Sequence, residues 1–406
     1  MTMPLLSNNP MWETFGQRLI GYTASGGADL GEVISTIRRV GDAGTADDWY
    51  REWRATAERI AAIGDECAAA GHVVSAREAY FRASTYFHGA YMPLFGKPVD
   101  PRLVEAFELE TSTFQKGGAL LETPLEVIEI PFEGTTLPGY FIKVDDSGTP
   151  RPTVIHTNGY DGTVQEMYFA HAPAANRRGY NVLLFDGPGQ GRNLIRDGMT
   201  IRPDWETVVA PVVDYALTRS DVDPERIVLN GWSFGGLLAP RAAGVEHRIA
   251  ALVADPGQWD MRYAVLEMLP LEPAQKEAFP DIDPALLAPM EAWLESPEAD
   301  PMVRWQVVQR GMWVHGVDSV YDYFADLVRF EVSSVAGSIT CPTFIAAPEG
   351  DPLAAGAPAL HEAISSTNKV LMPFTEAEGA DGHCEALARR LYHQRVYDWL
   401  DATLGS

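Results

Sequence analysis

Hydrophobic positions along the chain change rhythm twice. From residue 1 to about 122 they recur at helical spacing. Asp47 to Ala70 carries Trp49, Trp53, Ala57, Ile60 and Ile63 along one stripe and stops at Gly71. Val73 to Tyr91 continues with Ala76, Ala79, Tyr80, Ala83 and Phe87, and Pro101 to Gly117 makes a further helix. From Pro124 the pattern becomes that of strands. Leu125 to Phe132 and Leu137 to Val144 flank Glu133-Gly134-Thr135-Thr136, an antiparallel hairpin signal. Thr153–Thr157, Asn181–Asp186, Arg226–Gly231, Ala251–Asp255, Thr343–Ala347 and Lys369–Phe374 follow, with helix-compatible stretches between most of them. Near-continuous apolar strands alternating with helices predict an α/β fold: a mostly parallel sheet with helices on both faces. Sites in such sheets lie at the carboxyl ends of the strands.

One interval breaks this alternation. Between Asp255 and Cys341 there are helical pieces but no convincing strand, and large side chains abound: Trp259, Met261, Tyr263, Met268, Trp293, Trp305, Met312, Trp313, Tyr321, Tyr323 and Phe324. Many of these serve as ordinary core. An insertion at this place would also lie over the strand ends and supply a substrate pocket. The expected organisation is a helical accessory or lid domain over 1–122 and a catalytic domain over 123–406, with a helical cap at about 257–338.

Composition narrows the function classes. The chain has 406 residues, 46% hydrophobic and 21% charged, enough for a large core plus a smaller unit. A formal net charge of −25 makes nucleic acid a poor partner, because phosphate binding needs clustered Lys and Arg. Met1-Thr2-Met3-Pro4-Leu5-Leu6-Ser7-Asn8 has no basic n-region, and no apolar run approaches the ~20 residues of a membrane span. Three cysteines (Cys67, Cys341, Cys384) make no disulfide framework, so a reduced, cytoplasmic setting away from membranes is expected. The nine histidines show neither H-E-x-x-H nor paired spacing, and no Gly-x-Gly cofactor loop appears in the helical segment, so no metal or cofactor is expected. His72 and His88 read as surface or packing residues.

The stretch richest in chemistry is Ile227-Val228-Leu229-Asn230-Gly231-Trp232-Ser233-Phe234-Gly235-Gly236-Leu237-Leu238-Ala239. A strand runs into Gly-Trp-Ser-Phe-Gly and then into a helix, which is the nucleophile-elbow pattern with Ser233 at its apex. Gly231 and Gly235 let strand and helix approach without colliding Cβ atoms. A serine nucleophile needs a base, and the base an orienting acid, in the chain order Ser, Asp or Glu, His. Asp351 follows the penultimate strand in Pro348-Glu349-Gly350-Asp351-Pro352-Leu353, with Glu349 and Asp381 as rivals. His383 ends the Gly-rich loop after the last strand and is the candidate base. Cys384 reads as a small buried neighbour rather than a nucleophile.

The oxyanion donors are expected at the backbone N–H of Phe234 and, on Asn158-Gly159-Tyr160-Asp161-Gly162-Thr163, that of Tyr160. One such donor is worth ~3 kcal/mol to the transition state. Asp161 reads either as a turn residue or as an acid at the pocket edge. Asp186-Gly187-Pro188-Gly189-Gln190-Gly191 is a tight loop nearby, with Asp186 a structural acid.

Together with the helical N-terminal segment, Gly231-Trp232-Ser233-Phe234-Gly235-Gly236, the Asn158 and Asp186 loops, Asp351-Pro352-Leu353 and Gly382-His383-Cys384 resemble the α/β-hydrolases related to dihydroxypseudooxynicotine hydrolase. The fermentation/respiration switch proteins and fungal polyketide-shortening hydrolases are similar. The resemblance runs from about residue 70 onward. It implies the α/β-hydrolase fold with Ser233 as nucleophile, Asp351 as acid, His383 as base and a homodimer. It also matches Asp161 to a glutamate on the oxyanion loop of the pseudooxynicotine enzyme, one methylene longer. The expected function is a serine hydrolase acting on a small organic carbonyl substrate, an ester or amide. The alternatives are a C–C bond hydrolase of a 1,3-diketone or polyketide-like substrate with Asp161 as assisting acid, and a non-catalytic binding or regulatory protein.

Overall fold

The computed structural model describes residues 4–405, so Met1 to Met3 of the N-terminal reading lie outside the described residues. Five helices lead: α1 (Pro10–Ile20), α2 (Leu30–Val40), α3 (Ala46–Ala69), α4 (Val73–Tyr91) and α5 (Pro101–Gly118). Their starts follow local capping chemistry. Asn9 accepts from the N–H groups of Met11 and Trp12 at α1, and Thr45 and Asp48 form a reciprocal box at α3. The apolar stripe of α3 is buried from Trp49 to Ile60, with Trp49 and Trp53 at zero exposure and Trp12 stacked on Trp49 at 4.7 Å between ring centroids, whereas Ile63 at its end is exposed.

Eight strands make one sheet: β1 (Glu126–Phe132), β2 (Thr135–Ile142), β3 (Arg151–Thr157), β4 (Asn181–Phe185), β5 (Val222–Trp232), β6 (Ala251–Asp255), β7 (Thr343–Pro348) and β8 (Lys369–Phe374). Their spatial order is β1-β2-β4-β3-β5-β6-β7-β8. The β1–β2 and β2–β4 pairs are antiparallel and the rest parallel. Period-2 alternation sends successive side chains to opposite faces. Val154, Val182, Leu184 and Val228 join one core with α6 (Val164–Asn176) and the C-terminal helix Arg389–Leu404. Ile155, Leu183, Ile227 and Leu229 join the other with α8 (Glu206–Leu217) and α9 (Gly235–Ala243); the short α7 (Gly191–Ile195) precedes them. This is the mostly parallel α/β sheet that the strand pattern predicted.

Between β6 and β7 the described chain runs through short helices, including Met261–Met268, Ala288–Glu295 and Val320–Leu327, and a π-helical turn, Trp305–Gly311. This cap meets the N-terminal helices. Phe15 of α1 packs edge-on against Trp305 at 5.0 Å, and the Trp305 indole donates to the Met92 carbonyl at 2.9 Å. Among the described residues no helix is long and apolar enough to cross a membrane.

Candidate active site

Strand β5 ends between β3 and β6, with Gly231 opposite Thr157 and Trp232 opposite Asp255. The turn that follows places Ser233 at φ +58°, a left-handed conformation that a non-glycine residue holds only under strain. Three contacts hold it there. The Ser233 N–H donates to the Asp255 carbonyl at 2.6 Å, the Ser233 carbonyl accepts from Gln258 Nε2 at 2.6 Å, and the Gly236 N–H returns to the same carbonyl at 2.8 Å. Glycine at 231 is a packing requirement: a Cβ there would lie 1.9 Å from the Gly235 carbonyl oxygen.

Two loops at neighbouring strand ends bring His383 and Asp351 to Ser233. His383 Nε2 is 2.9 Å from Ser233 Oγ, and His383 Nδ1 is 2.6 Å from Asp351 Oδ2. With the Nδ1 proton donated to Asp351, Nε2 presents a lone pair to the serine hydroxyl. Asp351 is buried, its other oxygen accepting from the Leu353 N–H at 3.0 Å, whereas half of the His383 side-chain surface is open. Among the described residues neither rival acid meets His383, whose Nδ1 is taken by Asp351. Glu349 accepts from the Glu376 N–H at 3.0 Å, and Asp381 uses its carbonyl to hold the Gly350 N–H.

Cys384 lies directly under the base. Its sulfur is 3.5 Å from His383 Nε2 and 3.8 Å from Nδ1, hence over the ring face rather than in line with either nitrogen lone pair. Asp351, His383 and Cys384 therefore bring three donor atoms within 4.8 Å without aiming them at one point. Burial, with Asp255 and Asp351 nearby, pushes the thiol well above its ordinary pKa, so it is no thiolate nucleophile. Cys384 and Glu385 both adopt positive φ, +50° and +48°. That kink turns Glu385 inward towards Asp255 and Arg389. Burial raises both carboxyl groups, Asp255 to about 7, so the pair retains a proton near neutrality.

The oxyanion loop approaches from β3. Gly159 is so close to the nucleophile that a Cβ would lie 2.9 Å from Ser233 Cβ. Among the described residues neither the Tyr160 nor the Phe234 N–H meets a protein acceptor. The loop is held from behind by Gln190, whose Nε2 donates to the carbonyls of Asn158 (2.9 Å) and Gly159 (2.8 Å). The Asp186-Gly-Pro-Gly-Gln-Gly loop thus acts as a brace for the oxyanion loop. Asp186 itself is fully buried, and burial pushes its carboxyl up to about 7.

Asp161 requires a correction. As an assisting acid it would have to carry a proton, but the structure clamps it between two guanidiniums. Arg18 of α1 donates to Oδ1 and Arg310 of the cap to Oδ2, each at 3.2 Å. Burial alone would raise its pKa, but Arg18 and Arg310, with His88 beyond, outweigh it and hold the carboxyl far below the usual range. Asp161 is an ionised counter-ion at neutral pH. Arg18 is further fixed by Glu166, which takes its Nε and, at 2.6 Å, its Nη2. Behind Glu166 lies His88, buried rather than on the surface, 3.4 Å from Glu110 and 3.7 Å from Glu166. Burial opposes its charge, yet the two carboxylates prevail and raise its pKa. His72 is exposed.

Arg18, Arg310, Glu166, Gln190 and Gln258 escaped the sequence reading. One signal was present: Thr163-x-x-Glu166 is the spacing of a helix start. Thr163 does cap α6, accepting from the Glu166 N–H at 3.2 Å, but the glutamate side chain turns to Arg18 and Tyr22 instead.

With sheet, elbow and loops in view, comparison with known proteins is informative. The alpha/beta hydrolase family model matches residues 154–398. The chain belongs to that family. It is 31% identical to the hydrolase LUC6 of Fusarium sp over 427 residues, covering 96% of this chain and 95% of the relative. It is also 31% identical to the 20-hydroxy-prefusarin hydrolase FUS2 of Gibberella moniliformis, covering 96% and 95% respectively. The solved 2,6-dihydroxy-pseudo-oxynicotine hydrolase shares the fold with a TM-score of 0.73 at 23% identity, over 95% of this chain and 96% of that one. These relations bear out the resemblance and the hydrolase fold, and they make this member of the family an enzyme rather than a non-catalytic binder.

Proposed function

We propose that this enzyme is a serine hydrolase that cleaves a small carboxylic ester through an acyl-enzyme. The observation that carries the reading is the unbroken line from Ser233 Oγ through His383 to Asp351, at 2.9 and 2.6 Å. Ser233 Oγ attacks the carbonyl carbon while its proton passes to His383 Nε2; Asp351 stabilises the resulting imidazolium. The carbonyl oxygen becomes an oxyanion between the Phe234 and Tyr160 N–H groups, with the N-terminal end of α9 adding to the favourable field. Collapse breaks the bond to the leaving alkoxide, which takes the proton from His383. Water, deprotonated by the same histidine, then attacks the acyl carbon, and Ser233 recovers its proton as the acid departs.

The C–C alternative draws on the names of the relatives, but here its leaving carbon would have to be protonated through His383. Asp161, ionised between two arginines, holds no proton to give, and that favours the ester reading. The test pairs short aryl esters with aryl 1,3-diketones, using Ser233→Ala as the blank. Ester turnover that vanishes in the variant is the expected result. Diketone cleavage that vanishes in it would move the assignment to C–C hydrolysis. Turnover surviving in it would reject Ser233 as nucleophile.

A further inference from the structure

We infer that Arg310 is a specificity-determining cation of this site, and that the acyl substrate carries an anionic oxygen, a carboxylate or an acidic enol, beyond the reacting carbonyl. The inference rests on the Ser233 reading and names the substrate class for it.

The two arginines that clamp Asp161 differ in what they leave free. Arg18 is fully committed: Nε and Nη2 go to Glu166 and Nη1 to Asp161. Arg310 gives only Nη1 to Asp161. Its Nε is buried without a partner, and among the described residues Nη2 meets no protein acceptor, while 22% of the side-chain surface is open. A guanidinium offers five donors in one plane, and donors left unmatched away from bulk water are costly. The protein nevertheless fixes this plane firmly. The Arg310 guanidinium lies 4.9 Å from the ring centroids of both Tyr160 and Trp305. It is presented from the π-helical turn Trp305–Gly311, a backbone irregularity that recurs at functional sites.

Position supplies the second argument. Tyr160, on whose ring the guanidinium rests, is the residue whose backbone N–H the proposed mechanism gives to the oxyanion. Its ring meets Phe234, the other donor residue, edge-on at 5.2 Å. A substrate with its carbonyl oxygen between these two N–H groups therefore lies against the same loop that Arg310 grips through the Tyr160 ring and the Asp161 carboxylate. Charge supplies the third. Asp161 shares one negative charge between two guanidiniums, and Glu166 is turned to Arg18 and His88, so among the described residues no carboxylate besides Asp161 pairs with Arg310. Of the other titratable side chains packed there, burial holds His315 neutral against Asp326 and also keeps Tyr160 and Tyr323 protonated. An anionic oxygen meets the open donors with charge-assisted hydrogen bonds, about twice as strong as those a neutral amide would accept. In a chain of net charge −25 the overall field does not draw anions in, so their selection has to be local.

The test compares two p-nitrophenyl esters of equal carbon number, the monoester of glutaric acid and the pentanoate, which differ by a terminal carboxylate against a methyl group. Wild type is expected to favour the glutarate ester in kcat/KM. Arg310→Gln should lower that preference about tenfold or more, chiefly through KM, as expected for one charge-assisted contact. Arg310→Lys, which keeps the charge, should retain part of it. An unchanged preference in Arg310→Gln, or equal losses on both esters, would overturn the inference and leave Arg310 as a staple between cap and oxyanion loop. A second arm needs no turnover: pentanoate and pentanamide are titrated into Ser233→Ala and followed by tryptophan fluorescence, with Trp305 beside the guanidinium. Saturable binding of pentanoate alone, lost in the Ser233→Ala, Arg310→Gln double variant, supports the anion site even if another nucleophile is at work. Equal response to acid and amide, or none, refutes it.

Discussion

Ser233, Asp351 and His383 stand on loops at the ends of β5, β7 and β8, whereas Asp161 is gripped by Arg18 of α1 and Arg310 of the cap, 143 and 149 residues away in sequence. The first group is placed by the sheet. Parallel pairing puts neighbouring strand ends side by side, so a residue just beyond one end meets residues just beyond the next. The second group is placed by two helical layers that close over the sheet, one preceding it in sequence and one inserted between β6 and β7. On the floor, backbone geometry decides where each side chain sits; at the roof, long flexible side chains reach between segments far apart in sequence. The floor tolerates little change of shape, and the roof little change of charge.

Substitutions separate the two. Ser233→Ala or His383→Ala should reduce ester turnover by about 10⁴-fold or more without changing the circular dichroism spectrum. A loss of only tenfold in either would mean that the floor is not the reacting centre. Gly159→Ala tests the seam between floor and roof: the added methyl would press on Ser233 and displace the Tyr160 N–H, at about 10²-fold to 10³-fold in kcat. Asp161→Asn breaks the roof by charge alone. Arg18 keeps Glu166, Arg310 is left without a carboxylate, and stability should fall by about 3 kcal/mol in denaturant unfolding. Turnover should fall with it, because the oxyanion loop loses its clamp; loss of turnover with full stability would restore a direct chemical part for this residue.

A pH-dependent effect sharpens the role of the brace. Burial raises Asp186 from 3.8 to about 7, so the folded state binds its proton more tightly than the unfolded state does. The stability associated with that proton is fully present below about pH 4 and is lost as pH rises through 7. Asp186→Asn, which mimics the protonated form, should match wild type near pH 4 and gain on it up to pH 7, by at most about 4 kcal/mol. Unfolding free energies across that range decide it; a constant difference would mean that Asp186 does not titrate there. Last and smallest, Cys384→Ala should cost about 1 kcal/mol of packing under the imidazole, with Ser233 still labelled by a fluorophosphonate.

Most of the sheet was legible because each strand announces itself locally. Val73–Tyr91 is observed with the bounds its spacing predicted, and the eight strands differ only at their ends. The elbow was legible for the same reason, since strand, glycine turn and helix are contiguous. Chain order pointed to Asp351 and His383, and the structure brings both to Ser233. Asp161 was singled out, but the choice between turn residue and assisting acid stayed open, because its ionisation depends on two arginines that carry no motif. His88 was read as a surface or packing residue and is a buried one, but its two carboxylate neighbours, Glu110 and Glu166, adjoin it only in three dimensions.

The sequence by itself therefore determined the elements, the doubly covered sheet and the hydroxyl, imidazole and carboxylate offered at its edge, since hydrophobic period and turn chemistry act over a few residues. Tertiary structure alone decided which charges face one another. It closed α1 and the cap over the oxyanion loop, made Asp161 an anion and left Arg310 with open donors, because electrostatic energies in a buried site depend on distances between segments that no local pattern encodes.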